Sequence, residues 1–281
     1  LFYCLGDAHD LYWGGKNEKE MIGCFQKTLG NRNFIYDKDM KAAGLGNRHA
    51  VCNGYHFIAL QPCQRGPILY SDETKQWLAS LLDEISSQNG LSYVFIITHP
   101  MISNTCYGST LGDIWDTGDL TKILSEHPNI VIFSGHLHFP LNDERSIMQT
   151  DFTSVGCGAV RYMAIENGGY ENMAGKTTMK DSSCFSQGLL CELDGNGTLR
   201  ITRMDFYHNR KIKEPWILFP PQKDRSHLEK YSPARANKSP FPFFPETFFI
   251  KAEFYDTQSG KRMKLRFAKG YDEDFVHHYH I

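Results

Sequence analysis

The chain has 281 residues, 41% of them hydrophobic and 22% charged, which places it among globular proteins able to bury a core and away from disordered or collagen-like classes. Its formal charge of -2 gives no broad electrostatic reason to expect nucleic acid or an anionic membrane as partner. No run reaches the ~18 uninterrupted apolar residues of a membrane-spanning helix. The eight cysteines are scattered, without the close pairs of a zinc ribbon or a redox motif, and read as reduced, mostly buried thiols.

The sequence opens on Leu1-Phe2-Tyr3-Cys4-Leu5, which reads as a strand entered midway, so the chain is expected to be part of a longer one. Ala50 to Leu60 reads as a hairpin. Ser71-Asp72-Glu73 can cap a helix, and Trp77, Leu78, Leu81, Leu82 and Ile85 recur on one face before Asn89-Gly90 stops it. Leu91 to Ile97 is a nearly continuous apolar run, the pattern of a strand covered on both faces. Leu120 to Glu126 then reads as a helix and Ile130 to Phe133 as another buried strand, so strand, helix, strand predicts an α/β domain.

From Phe152 the texture changes to short strands and Gly-rich turns. Leu189 to Leu193 and Thr198 to Met204 flank Asp194-Gly195-Asn196-Gly197, a strong hairpin signal. The Pro-rich and charged stretch between Pro215 and Pro245 is expected to link two domains. Beyond it, Thr247 to Glu253 and Lys261 to Phe267 alternate like strands and predict the opening of a β-rich domain. The boundaries read 1–218, 219–244 and 245–281. The aromatics Phe241, Phe243, Phe244, Phe248 and Phe249 are expected to pack this tail on the first domain.

Candidate chemistry gathers at two strand ends. The strand Ile130 to Phe133 runs into Ser134-Gly135-His136-Leu137-His138, and Leu91 to Ile97 runs into Thr98-His99-Pro100. In an open α/β sheet ligands collect beyond the carboxyl ends of the strands. Two such ends delivering His99, His136 and His138 to one rim point to metal binding, since imidazole suits zinc, iron and similar divalent ions. A structural zinc site is the weaker reading, because such sites favour closely spaced Cys.

With Leu5-Gly6-Asp7-Ala8-His9-Asp10 upstream of these motifs, the sequence resembles the calcineurin-like metallophosphoesterase superfamily over about residues 1 to 215. The resemblance implies the C-terminal portion of a layered α/β/β/α sandwich carrying two divalent ions such as Mn, Fe or Zn. It assigns His136 and His99 to one ion and His138 to the other. It gives His9, with Asp10 beside it, a phosphate-facing catalytic role, in which the carboxylate orients and charges the imidazole. The family pattern there is Gly-Asn-His, and this chain has one extra residue and no Asn. Asp7 is the substitute oxygen ligand; if Ala8 instead takes the Asn position, one ion loses a ligand. Gly46-Asn47-Arg48-His49 also resembles the Asn-His motif, but the hairpin that follows makes Asn47 and His49 structural. The family's Asp-X-His and Gly-Asp motifs are expected upstream of Leu1.

The implied activity is metal-dependent hydrolysis of a small phosphomonoester or phosphodiester. The alternative is a degenerate, non-catalytic binding or scaffold module of the same fold, with the tail docking on protein or cell-wall material. Specificity is expected in the loops Met101 to Gly118 and Val160 to Cys184, where Asn104, Tyr107, Asp113, Trp115, Arg161 and Tyr162 make a polar, aromatic mouth and Arg161 is the candidate phosphate clamp. The tail resembles the first strands of a fibronectin type III domain. Its His277, His278 and His280 read as solvent-facing or pairing residues and not as a metal tract. Cysteine usage favours a reducing compartment, whereas a fibronectin-like module favours export, so the compartment stays open.

Overall fold

A computed structural model of the chain describes residues 47–60, 70–109, 118–161, 163–166, 176–178 and 184–272. The opening strand expected at Leu1 to Leu5 lies outside them. Among the described residues the fold is mixed α/β: one largely parallel sheet, two α-helices and separate antiparallel sheets.

Strands β1 (Arg48–Cys52) and β2 (Tyr55–Ala59) form the hairpin read from the sequence. Its two-residue turn, Asn53-Gly54, has positive φ at both positions, the geometry that matches strand twist and that Asn-Gly tolerates. Strands β3 (Val94–Thr98), β4 (Ile130–Ser134) and β6 (Thr153–Gly156) extend the sheet in parallel from β2, and β5 (Ile147–Gln149) closes it antiparallel to β6. The parallel strands alternate between two cores. Ile58, Ile96, Ile130 and Ile132 face helices α1 (Asp72–Asn89) and α2 (Gly118–Ser125), meeting Leu78, Leu82, Ile85, Leu120 and Leu124. Phe95, Val131 and Val155 face the opposite way. Both faces thus carry apolar side chains, which is why these strands read as continuous apolar runs.

Helix α1 begins as its sequence signals. The Ser71 hydroxyl accepts from the Thr74 backbone N–H at 3.2 Å, Asp72 and Glu73 sit in the positive first turn, and Gly90 ends the helix at φ 63°. Beneath the second face of the large sheet lies a four-stranded antiparallel sheet. Its centre is β10 (Leu199–Asp205), flanked by β9 (Gln187–Leu193) on one side and by β11 (Arg210–Lys211) and β12 (Trp216–Leu218) on the other. In the β9–β10 turn the Asp194 carboxylate accepts from the N–H groups of Asn196 and Thr198, both at 2.9 Å, and Gly197 takes φ 82°. Leu199, Ile201, Trp216 and Leu218 close the second core. A short pair, β7 (Ala164–Glu166) with β8 (Lys176–Thr178), lies beyond β6.

The stretch expected as a linker is strapped to the large sheet. Gln149 and Tyr231 exchange two hydrogen bonds of 2.9 Å, and Arg235 donates to the carbonyls of Glu144 and Ile147. His227 is buried and bonds the Pro128 carbonyl. The strap covers the edge strand β5, whose polar backbone would otherwise be open to pairing. Strands β13 (Ile250–Thr257) and β14 (Gly260–Phe267) then form their own two-stranded sheet, eight residue pairs long. The tail aromatics do not pack as expected: Phe241 is 93% exposed, and Phe243, Phe244, Phe248 and Phe249 are all exposed, with Phe243 against Tyr271 and Phe244 against Phe248.

The thiols also differ from expectation. Among the described free cysteines only Cys106 is buried; Cys52 and Cys191 are exposed, and Cys157 and Cys184 are intermediate. Cys52 adjoins a hairpin turn and Cys191 lies on the outer strand of its sheet, positions that sequence spacing does not reveal.

Candidate functional site

Thr98 and Ser134, the last residues of β3 and β4, stand opposite each other in parallel register. The next residues are therefore His99 and Gly135, and the Gly135 N–H donates to the His99 carbonyl at 2.9 Å. This extra rung brings the rings of His99 and His136 to 5.3 Å between centroids at 71°, edge towards face. A Cβ at position 135 would lie 3.8 Å from both the ring Nδ1 and the carbonyl oxygen of His99, an ordinary van der Waals contact, so the approach of the two strand ends does not depend on glycine there.

The backbone leaves regular geometry here. His136 has φ 69°, and the Leu137 N–H donates to the Gly135 carbonyl at 2.9 Å, a three-residue turn centred on His136. His138 has φ 58°. Positive φ at a residue with a Cβ costs about 1–2 kcal/mol, and such strain persists only where surrounding contacts impose it. Those contacts are visible: Leu137 and Phe139 are buried among Met101, Cys106, Tyr107 and Ala164. The Cys157 N–H donates to the Ser134 carbonyl, and the Ala164 N–H to the His138 carbonyl. Two consecutive side-chain anchors and two flanking ladders thus hold the histidine segment in its turn.

Residues 157 to 164 are therefore tied to the histidine segment at both ends, and Arg161 sits between the ties with its side chain exposed. The loop after β3 is locked from its own side. Tyr107 packs on Phe139 with ring centroids 4.5 Å apart, its N–H donates to the Arg145 carbonyl, and the Arg145 guanidinium lies 3.8 Å over its ring. Arg145 in turn makes two bonds, of 3.0 and 2.8 Å, to the carboxylate of the fully buried Asp143. Gly108 has φ 86°, and a Cβ there would meet Phe139 at 2.5 Å and Leu137 at 2.6 Å. Sequence reading passed over this bracing; the charged run Asp143-Glu144-Arg145, directly after the histidines, was the available signal.

The structure thus joins His99 to His136 through ring contact, with the backbone bond running from the Gly135 N–H to the His99 carbonyl, and carries His138 two residues on, past the buried Leu137. Asp7, His9 and Asp10 lie outside the described residues, as do Asp113, Trp115, Tyr162, His277, His278 and His280. Among the described residues no three His, Cys, Asp or Glu side chains gather as a group able to hold a metal ion. Two imidazoles at one rim fit part of a divalent-ion shell, which commonly takes four or more donors, so the described set alone is short of ligands.

Asn47 and His49 are held structurally. Asn47 is buried and donates Nδ2 to the Thr74 hydroxyl at 2.9 Å, while His49 stacks on His56 and shares a 2.8 Å hydrogen bond with it. Burial holds both imidazoles below their ordinary pKa; the charge of His56 lowers that of His49 further, and Glu84 opposes the shift at each.

No protein-family model matches the chain, and no curated protein matches it. A solved Plasmodium structure, described as GAP50, the anchor in the inner membrane complex, is similar with a TM-score of 0.38 and 14% identity. The match covers 66% of this chain, which spans 60% of that one. Among the described residues no helix is long and apolar enough to cross a membrane.

Proposed function

We propose that the chain belongs to the calcineurin-like metallophosphoesterases, with the layered sandwich of that superfamily, and hydrolyses a phosphoester at a dinuclear divalent-metal centre. The observation that carries the reading is the convergence of His99 and His136 at the carboxyl ends of neighbouring parallel strands, with His136 and His138 both held at positive φ. Such strain is rarely kept where it serves nothing. His99 and His136 would share one ion and His138 would bind the other, with Asp7 as an oxygen ligand. When bound, the two ions would polarise the phosphoryl oxygens and make water acidic enough to attack at neutral pH. His9, oriented by Asp10, would meet the charge on the departing oxygen, and Arg161 would clamp a phosphate oxygen.

The test uses the full-length protein loaded in turn with Mn, Fe and Zn. Metal content is measured together with hydrolysis of p-nitrophenyl phosphate and of a bis-nitrophenyl diester. His136→Ala should lower turnover by a factor of about 1,000 or more and reduce bound metal. Turnover equal to that of the unmodified chain removes the assignment. The scaffold reading rests on the departure of Gly6-Asp7-Ala8-His9 from the family's Gly-Asn-His pattern. Zero bound metal after loading, with the fold intact by circular dichroism, would decide for it.

A further inference from the structure

Phe57, Phe95 and Phe133 project from one face of the large sheet towards Leu189, Cys191 and Leu193 of β9, and the two layers do not close on each other. Between them lies a cavity of about 640 Å³, within the range of small-ligand sites. The three phenylalanines rest against one another, with centroids 5.1 Å apart for Phe57 and Phe95 and 6.5 Å for Phe95 and Phe133, so they form a continuous wall. Gly158 and Gly188 also line the space and contribute no side chain to fill it.

The lining offers little to a polar ligand. Its one amide, Gln187, is already engaged: Oε1 accepts from the Leu141 N–H and Nε2 donates to the Asn142 side chain, both at 2.8 Å. Burial pushes the Cys157 thiol up to about 12, so it is neutral at physiological pH. The mouth is apolar as well, with Val160 and Phe206 exposed at it.

Position links the cavity to the histidine rim. Ile97 lies two residues before His99, Phe133 three before His136, and Val160 directly before Arg161. A molecule with a charged group at the histidines and Arg161 would have its remaining length directed along these walls. We infer that the cavity receives the aliphatic chain of an amphiphilic phosphoester whose phosphate lies at the histidine rim. The headgroup half of this inference rests on the phosphoesterase reading; the chain-binding half does not.

The experiment follows alkylation of Cys191 by N-ethylmaleimide in the full chain, with Cys52 as internal control, in methyl phosphate, dodecyl phosphate or dodecanol below micelle-forming concentrations. Dodecyl phosphate and dodecanol should slow Cys191 alkylation at least tenfold and leave Cys52 unaffected, whereas methyl phosphate should do neither. Ala159→Trp, which fills the cavity, should remove the protection. In a parallel assay the kcat/KM for dodecyl p-nitrophenyl phosphate should exceed that for the methyl diester by a factor of about 100, the gain from burying roughly three to four of its methylenes. Protection by dodecanol with no hydrolysis of either ester keeps the chain site and removes the hydrolase. Hydrolysis without chain-length preference, with Cys191 unprotected, overturns the inference and leaves the hydrolase standing.

Discussion

Two pairs of strands in this molecule invert the usual link between length and importance. Strands β3 and β4 are five residues each and present His99 and His136 at their ends. Strands β13 and β14 are eight residues each, fully paired, and exposed along almost their whole length. The long pair has more ladder hydrogen bonds, but each of these replaces a bond to water and returns little net free energy. The short pair is covered on both faces, and apolar burial at roughly 25 cal/mol per Å² is what makes it rigid enough to hold strained residues at its tip. Rigidity at the candidate site therefore comes from the layers around β3 and β4 and not from the strands themselves.

Substitution can break this contrast. Ile132→Ala removes a side chain with no exposure from the core under α1 and α2, and it should cost about 3–4 kcal/mol in urea denaturation. A loss below ~1 kcal/mol would mean that the sheet is not the rigid support described. Gly108→Ala touches no strand but places a Cβ against Leu137 and Phe139 at a position with φ 86°. Its expected cost is about 2 kcal/mol, with altered signals from the His136 and His138 rings in NMR spectra; unchanged rings would show that the loop after β3 does not brace them.

Acidity sharpens the same contrast within the large sheet. His49 and His56, on β1 and β2, are held below the ordinary imidazole value of 6.5 chiefly by burial. Above that value neither the folded nor the unfolded chain carries the protons, and stability is complete. As pH falls below 6.5 the unfolded chain takes them up first, so stability declines until the lowered folded values are passed. His49→Phe should flatten the decline between pH 7 and 5, measured as the urea midpoint against pH; an unaltered slope would assign the sensitivity elsewhere. Smallest of all should be Phe254→Ser on β13, where the side chain is 75% exposed: a change within about 0.5 kcal/mol, and any larger loss would reveal a contact for that face.

Much of the first region was legible in the sequence because local rules govern it. Ser71 caps α1, Gly90 ends it, and the apolar runs became strands within a few residues of their expected limits. His99, His136 and His138 could be chosen because they lie within one to five residues of the ends of two apolar runs. The tail was read less well. Its alternation predicted β13 and β14, but the expected packing of Phe241 to Phe249 on the first domain required knowing what the strands would face. The strap of His227, Tyr231 and Arg235 was equally hidden, since a Pro-rich, charged composition describes a linker and a covering segment alike.

By itself the sequence determined where helices and strands begin and which imidazoles stand at strand ends, because caps, turns and apolar period act over a few residues. Only the tertiary structure decided that β3 and β4 are neighbours in a register that puts His99 beside Gly135. Only it decided that Leu137 and Phe139 are pinned hard enough to keep two histidines at positive φ, and that a cavity remains between the large sheet and β9. Those outcomes depend on contacts between residues far apart in the chain, whose free energies arise only when layers pack.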